Sequence, residues 1–167
     1  MRAFCFAVLS LIGLAGQSAL AQEAVVTGAA MQWYGIYTVA ETKEVKDPNS
    51  VTGTRLVSGG IVGPATNSDR IAVSDGIRFG FGYRLLGRPG SAVVPIVHVT
   101  EFSGAGGIGG TGKKSEKINY NLGINQAGMF IGRKMGDAAT EPTGDYKFQI
   151  WHKNRMLLEK QITVYRP

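Results

Sequence analysis

The chain has few of the residues that announce chemistry. It holds one cysteine, Cys5, and two histidines, His98 and His152, among 167 residues. Zinc sites usually draw three or four ligands from His, Cys and carboxylate. The two histidines are not paired at ligand spacing, so neither a metal site nor any other cofactor is expected. No G-x-S-x-G elbow marks a hydrolase nucleophile. Asp75, Glu101, Asp137, Glu141 and Asp145 form no evident glycosidase pair. No helix-period apolar pattern stands out, and after the first residues no apolar run approaches the roughly 20 residues that span a bilayer. Together these absences argue against an enzyme and against a membrane-embedded protein.

The start of the chain carries the most specific signal. Met1 and Arg2 precede an apolar stretch over residues 3–14, and Ala19-Leu20-Ala21 follows. A short basic start, a short apolar run and an Ala-x-Ala site make a secretory signal peptide. The expected cut lies between Ala21 and Gln22. Gln22 stands where a lipoprotein would need cysteine, so no lipid anchor is expected. Cleavage removes Cys5 and Arg2 and leaves 146 residues, with 17 basic against 12 acidic side chains, a net +5. The product is expected in the bacterial periplasm or outside the cell. No disulfide can hold it together, although that compartment permits them. A chain of this length buries enough surface for one core. Nucleic acid is a poor partner for an exported protein. The basic balance favours anionic lipid, acidic polysaccharide or an acidic protein.

The mature chain reads as strands and turns. Residues 22–30 look like an unpatterned lead-in, and residues 31–167 like one domain. Residues 31–39 are rich in aromatic and β-branched types, as strands prefer. Residues 40–50 end in a turn cluster, residues 51–62 hold one or two irregular strands, and residues 63–69 are loop. Ile77, Phe79, Phe81, Tyr83 and Leu85 then alternate with Arg78, Gly80, Gly82 and Arg84, a period of two. Residues 92–102 form a strand in which Pro95, lacking a donor, implies an edge or a bulge. Alternation returns at Ile118, Tyr120, Leu122 and Ile124, then at Tyr146, Phe148 and Ile150. A last strand covers residues 157–165. Short strands between Gly, Pro and Asn turns argue for an all-β, antiparallel two-sheet sandwich. An immunoglobulin-like arrangement is expected, with little or no helix outside the leader. The Cys-Trp-Cys signature of antibody domains is absent.

Three segments carry a resemblance. They are Trp33-Tyr34-Gly35-Ile36-Tyr37, Gly76-Ile77-Arg78-Phe79-Gly80-Phe81, and Pro142-Thr143-Gly144-Asp145-Tyr146-Lys147-Phe148. In this order they resemble a bacterial family known as domain of unknown function 3859, over most of residues 31–166. The resemblance implies an exported β-domain and supplies no activity or site.

The glycine-dense stretch 104–114 imitates nucleotide motifs. Residues 104–109 fit G-x-G-x-x-G, and residues 107–113 fit G-x-x-x-x-G-K. A phosphate site needs a helix to follow and a Ser or Thr after the lysine. Lys114 stands there and a strand follows, so the stretch is read as a mobile connector.

Two basic groupings remain. Residues 118–124 and 128–134, joined by a short turn, are expected to pair as a hairpin. That pairing would gather Lys113, Lys114, Lys117, Arg133 and Lys134 at one end as an anion-binding patch. A secondary candidate is Arg78 and Arg84, which flank Gly80 and Gly82 on one strand face and could grip a carboxylate or phosphate. A neighbouring aromatic lying over those glycines is the plainer expectation. The function expected is a non-catalytic binding or structural module of the cell envelope. The alternative is an enzyme or enzyme inhibitor whose site no motif reveals.

Overall fold

The described residues form ten strands, and the sequence pattern alone suggests fewer. The computed structural model describes residues 23–40, 42–48, 50, 53–58 and 66–167. The expected leader, with Ala21 and Gln22, lies outside them. The strands are β1 (Val25–Tyr37), β2 (Thr42–Lys46), β3 (Thr54–Ser58), β4 (Arg70–Ala72), β5 (Arg78–Arg88), β6 (Val93–Phe102), β7 (Ser115–Gly123), β8 (Met129–Lys134), β9 (Gly144–His152) and β10 (Arg155–Tyr165). A three-stranded sheet runs β1-β5-β8 and a five-stranded sheet runs β4-β10-β9-β6-β7. β2 and β3 make a small sheet of their own. The protein is an all-β, immunoglobulin-like sandwich, as its period-two patterns imply.

The period-two row of β5 supplies one wall of the core. Phe79, Phe81, Tyr83 and Leu85 are fully buried. Facing them are Ile96 and Phe102 of β6 and Tyr146, Phe148 and Ile150 of β9. Phe79 meets Tyr146 and Phe148 edge-on at 5.1 and 5.8 Å, so aromatic rings tie the sheets together.

Several expectations are corrected. The lead-in is short, because β1 begins at Val25 and pairs from Val25↔Arg88 onward. Gly28, Ala29 and Ala30 carry no strand pattern, and the long partner β5 makes them one. β6 is no edge, since it lies between β9 and β7. Pro95 is tolerated because the β9 ladder starts only at Val97, and the Pro95 carbonyl accepts a hydrogen bond from His152 Nδ1 at 2.8 Å. β2 lies in the charged stretch ahead of the turn cluster at 47–50, and β4 directly follows the loop at 63–69, where no strand is marked by the pattern.

The hairpin over residues 118–134 does not form. β7 pairs with β6 and β8 pairs with β5, in different sheets. The connection is pinned to both. Ile124 is buried and its N–H donates to Ala92, beside β6, while the Asn125 N–H donates to Leu85 of β5. The turn therefore crosses the sandwich.

The glycine stretch is also more than a connector. Ile108 is fully buried beneath it, and a short 3-10 turn spans Ile108–Gly110. The Ile108 N–H donates to Lys113 and the Gly112 N–H to Gly106, both at 2.7 Å. These bonds fold the loop back on itself as a lid over one end of the core.

Candidate anion-binding surface

With β7 and β8 in different sheets, the five expected basic residues divide. Arg133 turns inward, opposite Phe79. Its guanidinium lies along Gly109, where a Cβ would overlap it, and its Nε stands 3.7 Å from the buried Glu141 carboxylate. Glu141 also accepts from the Gly136 N–H at 2.8 Å and from the Tyr146 hydroxyl at 3.3 Å. Burial is the main reason the Tyr146 phenol is pushed up to about 12, so it stays protonated. Arg133 is thus a structural ion, neutralised within the fold. Lys134 faces outward on the three-stranded sheet, directly across from Arg78.

Lys113, Lys114 and Lys117 remain together at the start of β7 and are exposed. Lys114 donates to the Gly104 carbonyl and sits over the Phe102 ring. The antiparallel registers place Ser115, Glu101, Lys147 and Gln161 in one row across β7, β6, β9 and β10. This row floors an open groove of about 410 Å³, completed by Phe102, Ser103, Lys114 and Asp145. Lys117 stands in the next row, across from Val99. Sequence reasoning missed Lys147, because nothing along the chain signals that β9 lies two strands from β7. Lys114 and Lys147 therefore line the groove together with Glu101 and Asp145, and the exposed Lys113 and Lys117 lie next to Lys114 along the chain.

The second candidate is filled. Arg78 and Arg84 share the outer face of β5, as the alternation requires. Between them the Trp33 indole lies on Gly82, at the distance a Cβ would occupy. Trp33 touches Tyr37 at 5.2 Å and Tyr37 touches Phe130 at 5.4 Å, so three rings cover the strip. Burial holds the Tyr37 hydroxyl well above the ordinary phenol range. The glycines serve packing, and no open backbone strip separates the guanidinium groups.

Both histidines are used inside the structure. His98 lies in the core with Nε2 2.7 Å from the Tyr83 hydroxyl and its ring against Tyr120. Burial pushes His98 down to about 3, so the imidazole is neutral. Among the described residues, no group of three or more His, Cys, Asp and Glu could hold a metal ion. No helix among them is long and apolar enough to cross a membrane.

One comparison bears on the fold. Among solved structures, the chain is similar to an immunoglobulin-like protein from Pseudomonas aeruginosa, with a TM-score of 0.52 and 14% identity. The match covers 86% of this chain and 97% of that one. At this identity it shows fold alone. No family model and no curated protein matches the chain. The resemblance to domain of unknown function 3859 therefore rests on its three motifs. This protein is an immunoglobulin-like β-sandwich module.

Proposed function

We propose that this module is exported to the cell envelope, is non-catalytic, and binds an anionic lipid or acidic polysaccharide weakly through the loop end of its five-stranded sheet. The supporting observation is an open groove lined by Lys114 and Lys147, with the exposed Lys113 and Lys117 next to Lys114 along the chain. Lysine is a compact, mobile charge that attracts anions without demanding one geometry. Glu101 and Asp145 lower the net charge of the groove, which keeps the affinity modest. Export rests on the Ala19-Leu20-Ala21 pattern behind an apolar run.

Co-sedimentation with phosphatidylglycerol vesicles and with an acidic polysaccharide tests the reading. At least one should bind at low salt. Binding should weaken steeply toward physiological ionic strength, where the Debye length shrinks to about 8 Å. Changing Lys113, Lys114, Lys117 and Lys147 to glutamine should remove most of it. Changing Arg84 and Lys134, on the opposite face, should not. If neither ligand binds, or the quadruple variant binds as wild type does, the proposal fails.

A further inference from the structure

The edges of the two sheets are unequal. β4 is three residues long and β8 six, and β1 is interrupted by irregularities between Val26 and Gly28 and between Met31 and Trp33. Short or bulged edges resist pairing with other chains. β7 is different. It is the last strand of the five-stranded sheet, runs for nine residues, and pairs with β6 without a register shift from Ser115↔Glu101 to Gly123↔Val93. Among the described residues, no strand meets the alternate backbone amides and carbonyls on its other side.

No side chain of β7 is fully buried. Ser115, Lys117, Asn119 and Asn121 face outward and are exposed. Ile118, Tyr120 and Leu122 face the core side and are only half-buried. Ile118 and Tyr120 stand outside the packed core, which Leu122 reaches.

We propose that β7 pairs with β7 of a second copy of this chain, antiparallel, about a two-fold axis at Asn119. This register engages all nine residues and keeps every side chain on its own face of the sheet. It sets Ile118 opposite Tyr120 twice, a β-branched residue against an aromatic, which is a favourable cross-strand pair. Each copy covers what the other leaves half-exposed. Lys117 is the kind of edge residue that discourages pairing. At this axis it meets Asn121, Glu116 meets Leu122 and Ser115 meets Gly123, so no like charges oppose. The interface is isologous, as a closed dimer requires. The two five-stranded sheets become one continuous sheet.

An edge contact is small beside the roughly 1,200–2,000 Å² of a stable interface. The dimer should therefore be weak and concentration-dependent. Sedimentation equilibrium on the purified full protein should show a reversible monomer–dimer equilibrium. Asn119→Lys sets two cations face to face at the axis and should raise the dissociation constant several-fold at low salt. Asn119→Asp should do the same. Mixing the two variants should restore dimerisation as a heterodimer, because opposite charges then meet. Asn119 is exposed, so both variants should keep the wild-type thermal midpoint, which checks folding. A wild-type protein that stays monomeric at every concentration overturns the proposal. So does a dimer that Asn119→Lys leaves intact. A mixture that stays monomeric overturns the Asn119 axis.

Discussion

Tyr83 and His98 show how much of the interior is decided by single polar atoms. Burial holds the Tyr83 hydroxyl protonated, so it can donate to His98 Nε2. Burial also lowers His98 to about 3, with Tyr83 and Tyr120 the ionisable groups packed on it. An unfolded histidine titrates near 6.5. Between about pH 6.5 and 3 the unfolded chain therefore binds a proton that the folded one refuses. Stability from this group is complete above about pH 6.5 and is lost as pH falls toward 3. The loss reaches at most about 1.4 kcal/mol per pH unit. Chemical denaturation at pH 7, 6, 5 and 4 should show this slope. The Tyr83→Phe/His98→Phe double variant should show a shallower one, because its core holds no titrating ring at that point. Parallel curves for the two proteins would mean that His98 is protonated in the folded state. The alternation along β5 points Tyr83 inward, and His98 is recognisable as a strand residue. Nothing in the chain order could pair them, since one stands on each sheet.

At the level of elements, alternation reports a face and not a neighbour. The rows at residues 77–85, 118–124 and 146–150 each mark a real strand, because a half-buried strand must alternate. The same rows are silent about sheet membership, which is why residues 118–134 read as a hairpin. What decides is Ile124. In the expected hairpin it would close the first strand, next to the turn at 125–128, with no tie to the other sheet. Here its side chain is buried and its amide is tied to Ala92, so it anchors the crossing from one sheet to the other. Ile124→Ala should therefore cost roughly 2–5 kcal/mol in denaturant unfolding, as for buried aliphatic truncations. A cost of a few tenths would mean that Ile124 does not anchor the crossing. Ile108 is a parallel case. Six glycines surround it between Gly104 and Gly112, and their composition concealed one core residue. The basic patch suffered for the same reason. Lys113, Lys114 and Lys117 are close in sequence and stay together, whereas Arg133 and Lys134 were placed through the wrong pairing. Lys147 became visible only with the β6–β9 register.

At the scale of the whole molecule, the sandwich must hold without a covalent tie. Cys5 lies in the expected leader and the remaining chain has no cysteine. The burden passes to the aromatic contacts that join the sheets. Phe79 of the three-stranded sheet is the centre of these, fully buried and touching both Tyr146 and Phe148. Phe102 extends the cluster to Tyr146 at 4.5 Å, and the core residues form one continuous group. A contiguous core of this size should melt as one unit, with calorimetric and van't Hoff enthalpies in agreement. Phe79→Ala leaves a cavity between the sheets and should cost roughly 3–5 kcal/mol. For a chain of this length that lowers the melting temperature by about 10 °C or more. Arg84→Ala, five residues along the same strand on the outer, solvent-exposed face, should stay within about 0.5 kcal/mol. Scanning calorimetry on both variants can separate these outcomes. Small, equal shifts would mean that the sheets are not joined through Phe79. Two transitions in the wild-type scan would mean that they unfold apart.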